Sequence, residues 1–197
     1  VTIPAIPEDI GVVPGGKQVL VAAGNTLAVY DLNGQQLGSI RLDGPASSFL
    51  VSPDRQRVWI NVPTSKTVVI ADLVSRVQIR SFAATSATYV VNSDGKGGSA
   101  SLSTGVNYAI AFDERGRRLL LATRKPSKLL IMDSDSGNIR DSRQTINDPE
   151  DVWFDPATGR AYITGNDAVI DVISQRTVDS YEPLAKVPSA PGARTSL

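Results

Sequence analysis

Between Asp151 and Tyr181 the chain reads DVWFDPATGRAYITGNDAVIDVISQRTVDSY, a series of short apolar runs cut by Gly, Pro, Asn and Asp. Val152 to Phe154 form the first run, and a turn at Asp155-Pro156-Ala157-Thr158-Gly159 separates it from the second, Ala161 to Thr164. A second turn at Gly165-Asn166-Asp167 precedes the third run, Ala168 to Ile173, and a polar step leads to a fourth that ends at Tyr181. Short runs rich in Val, Ile and Tyr and bounded by such residues predict antiparallel strands joined by tight turns. The stretch therefore predicts a four-stranded meander.

The same pattern recurs three times. Ala109 to Ser142 carries AIAFDERGRRLLLATRKPSKLLIMDSDSGNIRDS, with Phe112 in the place of Phe154 and Arg118 in the place of Arg160. Ser48 to Phe82 puts Val51 and Arg57 there, and a weaker copy from Asp9 to Ile40 puts Val12 and Gln18. Pro7-Glu8-Asp9-Ile10 and Pro149-Glu150-Asp151-Val152 open their units alike. From Gln18 through Arg57, Arg118 and Arg160 the steps are 39, 61 and 42 residues, a repeat near 40 with one insertion.

A repeat of that length with four strands is the signature of a β-propeller blade. A lone meander has a face it cannot bury, so blades stack side by side around an axis. The expected fold is all-β, a propeller of four-stranded antiparallel blades with about four present, forming a single domain over 1–197. A β-sandwich with similar turn spacing is the competing architecture. Residues 84–106, ATSATYVVNSDGKGGSASLSTGV, are expected to be a flexible Gly/Ser/Thr-rich insertion between blades, with strand character at Tyr89-Val90-Val91.

The segments TGRAYITG, RRLLLATRKPSKLLIMDSDSG, RVWINVPTSKTVVIADL and PGARTSL resemble the secreted bacterial propellers built from the 40-residue YVTN repeat. That group shares its fold with quinoprotein amine dehydrogenases and cytochrome cd1 nitrite reductase. The resemblance spans nearly the whole chain and implies a fold more than an activity. Rings in this group usually have about seven blades, so it implies that these 197 residues are part of a larger ring. A closed four-bladed ring is the alternative. Where the relatives carry a His-Pro-Glu triplet, this chain has Pro45-Ala46-Ser47, so no role of that triplet carries over. The resemblance also implies export to the periplasm or the cell exterior.

Composition narrows the chemistry. Twenty Lys plus Arg balance twenty Asp plus Glu, which gives no field to attract nucleic acid or an anionic membrane. No apolar run is long enough to span a bilayer as a helix. The chain has no Cys and no His, which removes thiol chemistry, a conventional catalytic triad and the usual zinc sites. Asp133-Ser134-Asp135-Ser136-Gly137 has the start of a calcium loop but lacks its distal Glu, and reads as a turn. Asp31, Asp72 and Asp133 recur at the third turn of their units, where a carboxylate accepts nearby amides and holds the bend.

Strand order sorts the loops onto two faces. Blade-to-blade connections and the second turns share one face; the first and third turns share the other. The connection face gathers Glu8, Asp9, Glu150 and Asp151 with Arg124, Lys125 and Arg194, and these seven are the candidate ligand-binding residues. No catalytic residue, metal ligand or cofactor is assigned. Trp59 and Trp153 are expected in the layer between blades, and Arg57, Arg118 and Arg160 as structural residues gripping a turn or an acidic neighbour. The expected function is a non-enzymatic, exported module that binds a small molecule or a protein on this face. The alternative is an enzyme of the lactonase or quinoprotein kind, with loop carboxylates holding a metal or quinone. A purely structural surface protein is a third reading.

Overall fold

The structure, a computed structural model, describes residues 5–84, 86–91, 97–102 and 107–193. It contains four four-stranded antiparallel sheets, each ordered as its strands occur in the chain. Blade 1 is β1 (Pro7–Val12), β2 (Gln18–Ala23), β3 (Thr26–Asp31) and β4 (Gln36–Arg41). Blade 2 is β5 (Phe49–Val51), β6 (Arg57–Val62), β7 (Thr67–Asp72) and β8 (Val77–Ala83). A two-stranded hairpin of β9 (Ser86–Val91) and β10 (Gly97–Leu102) follows, within the insertion. Blade 3 is β11 (Asn107–Asp113), β12 (Arg118–Arg124), β13 (Ser127–Asp133) and β14 (Ile139–Gln144). Blade 4 is β15 (Pro149–Asp155), β16 (Arg160–Gly165), β17 (Val169–Thr177) and β18 (Ser180–Pro188).

Alternation along the second strands explains how the sheets stack. Leu20 and Ala22 pack with Val58, Ile60 and Val62 in one apolar layer between blades 1 and 2. On the other side of blade 2, Trp59 packs with Leu119 and Leu121 of blade 3. Leu120 and Ala122 then meet Ala161 and Ile163 of blade 4. The second strands of blades 2 and 3 are thus largely apolar on both faces, as a strand sandwiched between two sheets must be. Fully burying one such Leu or Ile side chain contributes about 1.5–3 kcal/mol, so these layers dominate the cohesion of the molecule.

Trp59 is also fixed by a polar contact. Its indole N–H donates to the Ser134 carbonyl at 3.0 Å, and its ring lies 4.7 Å from that of Phe112. The expectation for Trp59 is met. Trp153 differs: it is 53% exposed and touches Tyr162 of its own sheet, with ring centroids 5.4 Å apart. It projects from the face of blade 4 turned away from blade 3, so among the described residues it is not part of an inter-blade layer.

The third turns follow the sequence reading. Asp133 Oδ1 accepts from the amides of Asp135 and Ser136 and from the Ser136 hydroxyl. Asp72 Oδ1 holds the amides of Val74 and Ser75, and Asp31 Oδ1 those of Asn33 and Gln35. In blade 4 the equivalent position is Ser174, which cannot hold the bend in this way. The third strand runs on to Thr177, the turn falls at Val178-Asp179, and the fourth strand starts at Ser180 instead of ending at Tyr181.

Candidate functional site

The innermost strands bring the connection-face carboxylates together. In blades 1 and 4 the pairing of the first two strands shifts register, between Pro7 and Asp9 and between Pro149 and Asp151. Such a bulge inserts one extra residue and re-aims the side chains beside it. Asp9 and Asp151 therefore hold equivalent positions, each accepting the amide of the next residue, at 2.8 Å from Ile10 and 2.9 Å from Val152. Asp9 also reaches across to blade 2, where its Oδ2 accepts from the Phe49 amide at 3.1 Å.

Burial pushes the Asp9 carboxyl above the usual Asp range; the amides of Phe49 and Ile10 oppose that rise, and the charge of Asp151 adds to it. Blades 1 and 4 share no packed layer among the described residues, and the charge of Asp151 is the smallest of the influences on Asp9.

The basic side of the site forms in the second turn of blade 3. Arg124 pairs with Asp148 at 2.7 Å, and with Glu150. Asn166 donates to Asp148, and the Asn147 amide donates to Asp167, so the connection into blade 4 is tied to the second turn of that blade. Gly165 makes this approach possible, because a side chain there would run into the Asp148 carbonyl. Lys125 and Glu8 are exposed on the same face, and Arg194 lies outside the described residues. The structure thus gives Asp9 and Asp151 equivalent positions and pairs Arg124 with Glu150. It also adds Asp148 to the cluster, a residue the repeat does not mark, since Ile6 stands before the matching Pro-Glu-Asp of blade 1.

The opposite face holds an open cleft of about 500 Å³ where the first strands of blades 2, 3 and 4 converge. Leu50, Ile110, Phe112, Phe154 and Trp153 line it, with Glu114 and Arg115 among its polar residues. Its lining is largely apolar. The connection face is the better candidate for chemistry, since it combines a carboxyl held above its usual range with a second carboxylate and a cation.

No family model and no curated protein sequence matches the chain. Solved structures do. A candidate 6-phosphogluconolactonase from Bacteroides uniformis superposes with a TM-score of 0.73 at 13% identity, covering 93% of this chain and 55% of its own. The periplasmic gluconolactonase PpgL of Pseudomonas aeruginosa gives 0.70 at 13% identity, over 94% and 55%. The β-propeller domain of Cps50 (Swd1) from Myceliophteria thermophila gives 0.57 at 12%, over 95% and 73%.

The chain is four blades of a β-propeller. It spans about 55% of the length of the two lactonase-named neighbours. At such identities the likeness speaks for the propeller fold alone. It nonetheless corrects the expectation of a non-enzymatic binding module, because the neighbours' names are those of lactonases and favour the enzyme alternative. No described helix is long and apolar enough to cross a membrane.

Proposed function

We propose that the protein is a propeller hydrolase acting on a sugar lactone, with the connection-face carboxylates handling the protons. In lactone hydrolysis water adds to the ring carbonyl, an oxyanion forms and collapses, the ring C–O bond breaks, and the departing oxygen takes a proton. Asp9 suits the first step: a carboxyl held above the usual Asp range by burial is a stronger base than a solvated one. Asp151 beside it accepts or returns the second proton. Arg124, oriented by Asp148 and Glu150, supplies positive charge for the oxyanion or for an anionic substituent on the sugar. Lys125 and Glu8 belong to the rim of this proposed site.

The observation that carries this reading is the part-buried Asp9 carboxylate, tied across blades to the Phe49 amide at 3.1 Å, on the fold of lactonase-named neighbours. Assignment to the YVTN-repeat group and export to the periplasm or exterior belong to the same proposal. They draw on the repeat segments and on the periplasmic description of the Pseudomonas aeruginosa neighbour. The test is hydrolysis of gluconolactone and 6-phosphogluconolactone by the protein purified from its native source, followed by loss of the lactone. Turnover is expected, and removing general-base catalysis in Asp9→Asn or Asp151→Asn lowers kcat by about 10²–10⁴-fold. Absence of turnover on both lactones would sink the lactonase reading; turnover undiminished in both variants would move the chemistry elsewhere.

A further inference from the structure

The joint between blades 1 and 2 and the joint between blades 2 and 3 open on the same face, where first and third turns lie, but they are charged differently. In the second of them the third turn of blade 3 places Asp135 between two guanidinium groups. Arg57 Nη1 lies 2.6 Å from its Oδ1, and Arg117 holds its Oδ2. That joint carries its own anion. Matching Asp133-Ser134-Asp135-Ser136-Gly137 to Asp72-Leu73-Val74-Ser75-Arg76 puts Val74 in the place of Asp135, and a cation, Arg76, in the place of Gly137. The joint between blades 1 and 2 has therefore lost the acid and gained a base.

A cleft of about 340 Å³ opens at this joint. Lys17, Arg55 and Arg76 line it, Pro14, Leu73 and Val74 give it an apolar wall, and among the described residues no carboxylate lines it. Both arginines come from blade 2 and lean across onto blade 1: the Arg55 guanidinium lies against Gly15, and the Arg76 side chain against Gly38. None of the three cations makes an ion pair among the described residues, and Arg76 Nε is buried without an acceptor. Three like charges held around one cleft repel each other, and a buried donor without a partner is costly, so the arrangement gains from an anion supplied from outside.

We propose that this cleft binds a small phosphate monoester, whose phosphoryl group takes the place that Asp135 fills in the next joint and whose organic part rests on Pro14 and Val74. A phosphoryl group carries close to two negative charges at neutral pH, and its oxygens suit the paired donors of arginine. A lone carboxylate would leave most of the positive charge unanswered. Val74 is 67% exposed, so apolar surface is available beside the cations. The cleft lies on the face opposite the connection-face carboxylates, and the inference stands apart from the proposed hydrolysis.

The test titrates the protein by isothermal calorimetry with phenyl phosphate and with benzenesulfonate, a singly charged analogue of similar shape. Saturable binding of phenyl phosphate is expected, with benzenesulfonate about tenfold weaker or worse. Arg55→Met and Arg76→Met are each expected to weaken phenyl phosphate binding about tenfold or more. Val74→Asp, at an exposed position, supplies the missing carboxylate inside the joint and is expected to abolish phenyl phosphate binding while keeping the Tm of the parent. No binding by the parent overturns the proposal. Binding that Val74→Asp leaves undiminished also overturns it, because the phosphate then sits elsewhere. Equal affinity for benzenesulfonate overturns the choice of a doubly charged group, and binding to phosphatidate vesicles but not to phenyl phosphate overturns the choice of a small molecule. These variants leave the connection face untouched, so phosphate binding and lactone turnover succeed or fail separately.

Discussion

Arg118 lies in the joint between blades 3 and 4, its side chain only 11% exposed, and its guanidinium bonds Asp133 in its own blade and Asp179 in the next. Hydrogen bonding to Asp179 raises its pKa further and draws that of Asp179 below the usual Asp range. Arg57 makes the equivalent forward pair from a far more exposed position, 44% against 11%. Water screens an exposed pair, so the two equivalent arginines differ in worth. Arg118→Met is expected to lower the urea midpoint of unfolding clearly more than Arg57→Met. The measurement is paired denaturation curves; equal shifts would show that the joint gains nothing from sheltering this pair.

The third turn of blade 3 also depends on a small residue. Gly137 has φ of +74° and sits against the Phe82 ring of blade 2, where a β-carbon would overlap that ring. Gly137→Ala combines a left-handed backbone that L-residues disfavour with overpacking, and should cost about 2–4 kcal/mol. Chemical denaturation measures it. Phe82→Leu in the same background removes the ring and is expected to recover part of the loss, which separates the clash from the backbone strain.

Blades 3 and 4 share a buried polar chain. The fully buried Tyr181 hydroxyl lies 2.7 Å from Gln175 Nε2, which also donates to Asp113 Oδ2 at 2.8 Å. Burial pushes the Tyr181 phenol well above its usual pKa, and the charge of Asp113 adds to this. Its folded pKa therefore exceeds its unfolded one, so the folded chain keeps a proton that the unfolded chain loses above about pH 10. Stability from this group falls as pH rises past that point. Tyr181→Phe should cost about 1–3 kcal/mol at neutral pH by leaving Gln175 short of an acceptor, and should remove that alkaline slope.

The sheets were legible in the sequence because each blade repeats the same turn chemistry. Asp31, Asp72 and Asp133 each hold a third turn through their own carboxylate, a purely local device that spacing can reveal. Blade 4 was misread at the one place where Ser174 replaces that Asp, and its third strand runs on until Val178-Asp179. Trp153 is expected in a packed layer as a large apolar residue of a strand, but burial depends on what stands opposite, which a strand pattern does not carry. The grouping of the candidate carboxylates followed from strand order. The dependence of Arg124 on Asp148 did not, since it requires the bend that Gly165 permits between connection and turn.

The sharpest pH prediction concerns Asp9. Burial raises its folded pKa above the unfolded value of about 3.9, so between those two pKa values the folded chain binds a proton that the unfolded chain has released. Stability contributed by this group is greatest at the acid end of that window and declines as pH rises through the folded pKa. Above it the buried charge is a standing cost, a common feature of groups retained for chemistry. Asn has nearly the same shape and carries no charge to bury, but its one oxygen can accept from only one of the Ile10 and Phe49 amides that Asp9 holds. Asp9→Asn is therefore expected to lose the decline above pH 4, whatever the offset in its overall stability. Urea midpoints measured at several pH values from 4 to 7 decide it. A decline of unchanged slope in Asp9→Asn would mean that the Asp9 carboxylate is already comfortable when ionised, and would remove the physical reason for giving it the role of base.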